Sequence, residues 1–126
     1  MLKEMELNAV LPAKDLQRAR EFYRDKLGLE DPEETAGGLM YRMSAGGGAF
    51  LLYETENAGT AKNTQLCWNT KDLGAEMAEL RGRGVVFEEY DFPGLKTENG
   101  VATMDGERGA WFLDTEGNIL CLWQAA

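Results

Sequence analysis

The chain states one pattern twice. Residues 8–16 read Asn-Ala-Val-Leu-Pro-Ala-Lys-Asp-Leu and residues 65–73 read Gln-Leu-Cys-Trp-Asn-Thr-Lys-Asp-Leu, so the second copy begins 57 residues after the first in a chain of 126. Each copy runs from a strand-like stretch into a Lys-Asp-Leu helix start. Repetition on this scale implies two supersecondary units that bury their faces against one another and leave a cleft between them. A length of 126 residues supports one core, hence one domain over 1–126 built of two modules, at about 5–56 and 63–124.

Local patterning fills in each module. Asp15 is a plausible N-cap, and Leu16, Ala19, Tyr23 and Leu27 recur at helical spacing up to Gly28. Arg18 stands where a capping box would carry Glu or Gln. Strands are expected at about 39–43 and 49–54, joined through Gly46-Gly47-Gly48, which is a turn and not a phosphate loop because no helix start or Lys-Ser/Thr follows. In the second copy a strand over 64–70 precedes a helix capped by Asp72, with Leu73, Met77 and Leu80 as its apolar stripe. Val85–Tyr90, Ala110–Leu113 and Ile119–Gln124 read as strands, with 114–118 as a turn. Residues 91–100 are turn-rich and read either as a lid or as a hairpin excursion. The expected fold class is α+β: two βαβββ modules forming a curved, partly open mixed sheet around a cleft.

Charge and residue usage exclude several function classes. Thirteen Lys and Arg against 22 Asp and Glu leave a net charge of −9, which argues against nucleic acid and against anionic membrane surfaces. The same balance suits cationic small molecules and, equally, simple solubility. No apolar run is long enough for a membrane span, and residues 1–6 lack the core of a signal peptide, so a cytoplasmic location is expected. Histidine is absent. That removes Ser-His-Asp and Cys-His catalysis and every His-bearing metal site. Cys67 and Cys121 form no CxxC pair and are expected to be buried free thiols.

Asp15-Leu16 leading to Phe22-Tyr23 and Leu27-Gly28-Leu29, together with Ala110-Trp111-Phe112-Leu113-Asp114-Thr115-Glu116-Gly117-Asn118-Ile119-Leu120, resembles the vicinal oxygen chelate superfamily. Glyoxalase I, extradiol dioxygenases and the fosfomycin- and bleomycin-resistance proteins belong to it. The resemblance spans the whole chain. It implies four metal-ligand positions, one on the first and one on the last strand of each module, and these fall here on Asn8, Leu51, Gln65 and Cys121. None is His, Asp or Glu, so no metal and no other cofactor is expected. The superfamily's lyase, epimerase, dioxygenase and thiol-transferase chemistries are not carried over.

Strand alternation adds Val10, Pro12, Tyr53, Cys67, Asn69, Ile119 and Trp123 to the cleft face, and turns Trp68 toward the helices. The expected ligand-binding set is Asn8, Leu51, Tyr53, Gln65, Asn69, Trp111, Cys121 and Trp123. Such a lining suits a flat hydrophobic, aromatic or cationic small molecule; it also suits side chains that simply fill a core. The resemblance to the bleomycin-resistance type implies sequestration by a homodimer. Two rivals stay open: an enzyme of lyase or isomerase type using a non-standard metal site or Cys121, and an interaction module with no ligand.

Overall fold

Each copy of the repeat folds as a strand followed by a helix. In the computed structural model, which describes the backbone of residues 1–126 and every side chain except that of Ala45, the first copy gives β1 (Ala9–Ala13) and α1 (Leu16–Asp25). The second gives β5 (Thr64–Asn69) and α2 (Leu73–Gly82). Asp15 and Asp72 cap the two helices alike, each accepting a 3.0 Å bond, from the backbone N–H of Arg18 and of Ala75. Helix α1 ends where Gly28 turns to φ +69° and the Leu29 N–H returns to the Tyr23 carbonyl, a closure only a residue at ease with positive φ completes cheaply.

The remaining strands complete two open sheets. After α1 come β2 (Glu33–Thr35), β3 (Gly38–Arg42) and β4 (Ala49–Glu54), giving a four-stranded sheet in the order β1-β4-β3-β2. After α2 come β6 (Asp91–Phe92), β7 (Leu95–Glu98), β8 (Val101–Met104), β9 (Glu107–Leu113) and β10 (Ile119–Gln124), giving a six-stranded sheet in the order β5-β10-β9-β8-β7-β6. In both sheets the first strand pairs in parallel with the last, β1 with β4 and β5 with β10, and the other pairs are antiparallel. The fold is thus the expected α+β arrangement of two βαβββ-type halves with mixed, partly open sheets.

One expectation needs correction. Val85–Tyr90 is not a strand: it touches the sheet through one isolated bridge, Phe87 to Phe112. The segment lies beside β9 beyond the Glu107–Gly109 stretch that β8 covers, bonded there by the Glu88 N–H to the Trp111 carbonyl at 2.8 Å, and then leaves it, Tyr90 bonding instead to Thr97 of β7. Residues 91–100 form the hairpin excursion, with Phe92 pairing Leu95 across Pro93-Gly94 and β7 turning into β8 through Asn99-Gly100.

One shared core joins the halves. Leu11, Ala13, Leu39, Tyr41, Phe50 and Leu52 from the first sheet meet Phe112, Leu120 and Leu122 from the second, with Ala19, Tyr23, Leu73, Met77 and Leu80 from the helices between them. Tyr41 stacks on Phe50 at 4.9 Å, and Trp68 sets its edge to Phe50 at 6.2 Å across the boundary. The Tyr41 hydroxyl is buried without a partner among the described residues, and burial pushes its phenol up to about 12.

A polar clasp fixes the halves in register. The turn between β9 and β10 buries Asp114, Glu116 and Asn118. Asp114 accepts from the Tyr23 hydroxyl at 2.6 Å and the Asn118 amide at 2.8 Å, and that amide also reaches the Pro12 carbonyl at 2.9 Å. Glu116 accepts the backbone N–H groups of Lys14 and Asp15 at 3.0 Å, and the Arg18 guanidinium at 2.9 and 3.0 Å. The carboxylate that a capping box would draw from position 18 therefore comes from the other half of the chain, and Arg18 faces it. Burial alone would raise the Glu116 carboxyl, but Arg18, the Asp15 N–H and the Thr115 hydroxyl together hold it down to about 2.

Candidate functional site

The face of the six-stranded sheet turned away from the helices carries a second, smaller apolar cluster. Ala102, Trp111 and Cys121 are buried at its centre, ringed by partly buried Tyr90, Leu95, Ile119 and Trp123. Strand alternation produces it: along β10, Ile119, Cys121 and Trp123 take this face while Leu120 and Leu122 enter the shared core. Trp111 lies edge-on to Trp123 at 6.5 Å and to Tyr90 at 5.8 Å, and Tyr90 meets Phe92 of the hairpin at 5.8 Å.

Both indoles of this wall are held by their N–H groups. Trp111 donates to the Thr64 hydroxyl at 3.0 Å and Trp123 to the Glu107 carboxylate at 2.8 Å. Gly109 lets Trp123 lie against β9, since a Cβ there would stand 2.5 Å from the ring. The rings are thus oriented by the protein alone, and Phe92, 53% exposed, leaves the rim of the wall open to solvent.

The structure distributes the sequence-derived residues over four places. Trp111, Cys121, Trp123 and Asn69 belong to the second sheet, where Asn69 pairs with Trp123 and Cys121 with both Cys67 and Trp111. Leu51 and Tyr53 belong to the helix-free face of the first sheet, beside Val10, which is 54% exposed. Asn8 stands at the rim of a cavity of about 250 Å³ that Cys67 and Trp68 also line, with its own amide bonded to the Ala9 carbonyl. Gln65 belongs to the clasp: its amide donates to Asn118 at 3.1 Å and its carbonyl accepts the Ile119 N–H at 3.0 Å, filling an irregularity in the β5–β10 ladder. Among the described residues, no hydrogen bond or ring contact links Asn8, Leu51 or Tyr53 to the aromatic wall. Trp68 sits against the shared core, its N–H on the Met43 sulfur at 3.4 Å.

Sequence reasoning missed Tyr90 and Phe92, which lay in a segment read as a strand end and a turn. The aromatic spacing Tyr90-x-Phe92 ahead of Pro93-Gly94 was the available signal. The thiols also depart from expectation, since Cys121 is buried but Cys67 is exposed. The Cys67 thiol points to the Trp68 carbonyl at 3.7 Å and the Cys121 thiol to the Leu122 carbonyl at 3.3 Å, and the neighbourhood of the two sulfurs draws Cys67 down while it and burial push Cys121 up.

The four positions where relatives would hold a metal do not fit one. Leu51 has no donor atom, both ends of the Gln65 amide are occupied, Asn8 offers a weak neutral oxygen, and Cys121 is a buried thiol held protonated. Among the described residues no group of three or more His, Cys, Asp or Glu is placed to hold a metal ion.

The model of the Glyoxalase/Bleomycin resistance protein/Dioxygenase superfamily matches residues 7–122. Among solved structures, the chain is similar to UcmS2, with a TM-score of 0.73 at 18% identity over 94% of this chain and 96% of that one. It is similar to TnmS3, an antibiotic-binding protein from Streptomyces sp. CB03234, with a TM-score of 0.67 at 20% identity over 97% and 98%. It is also similar to the oxidase ChaP-H2, with a TM-score of 0.65 at 20% identity over 97% and 94%. No curated protein sequence matches this one. At these identities the structural likenesses establish the fold alone.

Proposed function

We propose, from the premise that this chain belongs to the Glyoxalase/Bleomycin resistance protein/Dioxygenase superfamily, that it binds a small flat hydrophobic, aromatic or cationic molecule without a metal. The observation that carries this reading is the wall of Trp111, Trp123, Tyr90 and Phe92, whose indoles are already anchored by Thr64 and Glu107. Rings held in place lose little freedom when a ligand stacks on them, which favours affinity. A cation over an indole adds about 0.5–2 kcal/mol, according to how far it is desolvated. An antibiotic-binding protein among the structural relatives supports a small-molecule ligand.

The reading extends to a homodimer. The chain itself leaves Leu51 and Tyr53 on a separate sheet from the aromatic wall, and Val10 and Tyr53 at 54% and 39% exposed give the first sheet an apolar face for a second copy. A second copy laid there would turn an open wall into a cleft. No helix is long and apolar enough to cross a membrane.

Tryptophan fluorescence tests the proposal. Titration with planar aromatic cations should quench the emission saturably, Trp123→Phe should weaken the effect, and a chelator should leave it unchanged. Loss of binding on chelation, with recovery on adding a divalent metal, would move the protein to the metal-dependent members. Light scattering at several concentrations would test the dimer.

A further inference from the structure

The repeat also shows where the two halves differ. Shifted by the same 57 residues, Leu11, Ala13, Ala19 and Tyr23 of the first half correspond to Trp68, Thr70, Glu76 and Leu80 of the second. The strand partners agree, because Leu11 pairs with Leu52 where Trp68 pairs with Leu122. In the first half these positions are fully buried, and the Tyr23 ring packs among Phe22, Tyr41 and Phe50. In the second half the same positions line a cavity of about 270 Å³.

Two exchanges make this cavity. Leu80 lacks the ring that Tyr23 supplies, and Glu76 puts a carboxylate where Ala19 stands in the first half. Trp68 does not swing in to compensate, since its N–H on the Met43 sulfur and its edge on Phe50 hold the indole toward the first half. Leu80, Phe112 and Leu122 are buried as the floor, Leu27 and Leu29 from the segment after α1 form one side, and Asn69 and Glu76 are exposed at the rim. Glu76 and Leu80 share a face of α2 as an i,i+4 pair, which sets the carboxylate beside the apolar floor. That carboxylate forms no ion pair among the described residues, and no Lys or Arg lines the cavity. The cavity lies on the helix side of the six-stranded sheet, opposite the aromatic wall.

We propose that this cavity is a second, separate binding site for an amphiphilic amine: one aromatic ring on a short chain that ends in an ammonium group. The ring takes the place that Tyr23 fills in the first half, and the ammonium group meets Glu76. Size agrees, since a cavity of about 150 Å³ holds a benzene ring and the remaining volume accommodates a two-carbon tail. The net charge of −9 favours a cation over a neutral or acidic counterpart. Nothing in the proposal depends on the wall.

The probe is 2-phenylethylamine, with 2-phenylethanol as its neutral counterpart, titrated into protein carrying isotope-labelled leucine methyls and tryptophan indoles. NMR spectra should show saturable shifts at the Leu27, Leu29, Leu80 and Leu122 methyls and at the Trp68 indole, with a dissociation constant of about 0.1–1 mM. The amine should bind about two- to five-fold tighter than the alcohol, the range of an exposed ion pair. Glu76→Gln should erase that preference while the alcohol binds as before. A glutamate that serves only the positive start of α2 would leave the preference intact. Leu80→Phe restores a ring at this position and should abolish binding; Leu29→Phe, on the half-buried side, carries the same test if the first variant does not fold. Shifts confined to Trp111 and Trp123, no saturation by about 10 mM, undiminished binding in the filled variants, or an amine preference that survives Glu76→Gln would each overturn the proposal. The Trp111 and Trp123 indoles report the wall and the Trp68 indole the cavity, so the two readings stand or fall separately.

Discussion

Replacing Glu116 by glutamine tests whether the clasp between the halves is held by charge or only by shape. The wild-type carboxylate accepts two backbone N–H groups, both contacts of Arg18 and the Thr115 hydroxyl. A glutamine keeps one oxygen acceptor and turns an NH₂ group toward donors. An ordinary glutamate near 4.5 held at about 2 in the fold corresponds to an upper bound of about 3 kcal/mol. Arg18 is half exposed while the Glu116 side chain is fully buried, so water screens one partner, and the discounted figure is about 1–2 kcal/mol. At about 3 °C per kcal/mol for a chain of this size, Tm should fall by about 3–6 °C. The pH dependence carries the sign. The carboxyl is depressed in the fold, so its stabilisation is fully present above about 4.5 and is lost as pH falls toward 2. Urea unfolding followed by tryptophan fluorescence should therefore show Glu116→Gln weaker than wild type by a constant margin from pH 5 to 8, with the margin shrinking between pH 4.5 and 2.5. A variant within 0.3 kcal/mol of wild type at pH 7 (about the scatter of such measurements), or a margin that does not shrink in acid, would refute the charge argument.

Three further substitutions probe other parts of the molecule. Tyr41→Phe removes a buried hydroxyl with no partner among the described residues, so urea unfolding should show no loss and up to about 1 kcal/mol of gain. Gly117→Ala should cost about 2–4 kcal/mol in the same assay, because the residue sits at φ +84° and a Cβ would stand 2.8 Å from the Gly59 Cα. Gly109→Ala should displace the Trp123 ring at a cost of about 1–3 kcal/mol, shift the emission maximum and abolish ligand-dependent quenching; unchanged emission would mean the ring is not seated on β9.

The repeated Lys-Asp-Leu was legible because an N-cap and the strand before it are local, and Asp15 and Asp72 indeed make the same 3.0 Å bond. The Val85–Tyr90 stretch misled because Val85 and Phe87 are buried while Val86 is 78% exposed, the alternation of a strand, yet only Phe87 bridges the sheet before Tyr90 turns to Thr97. Asn99 and Asp105 take φ near +50° ahead of Gly100 and Gly106, and both dipeptides are hairpin signals that the sequence displayed openly. β2 left no trace, since Glu33, Glu34 and Thr35 are all exposed and have no alternation to read. The site was half legible for a similar reason. Period-two counting put Cys121 and Trp123 on one face, but no local rule reveals that Gln65 is claimed by Asn118 from 53 residues away. Nor does local pattern show that Arg18 needs Glu116.

That long reach makes the two halves unequal in the order of synthesis. The start of α2 is served from its own half: the Leu73 N–H bonds to the Gln124 side chain at 2.7 Å. The start of α1 is served from the far half, by a carboxylate 98 residues downstream of Arg18. On the ribosome, at roughly 5–20 residues per second, the leading half therefore spends about 5–20 s with its helix start and the Pro12 carbonyl open to whatever else is present. The trailing half waits about half as long, since Gln124 follows Leu73 by 51 residues. A chaperone that protects nascent chains would find its client in the first half, and a chain stalled after β8 would be the species at greatest hazard of misassembly.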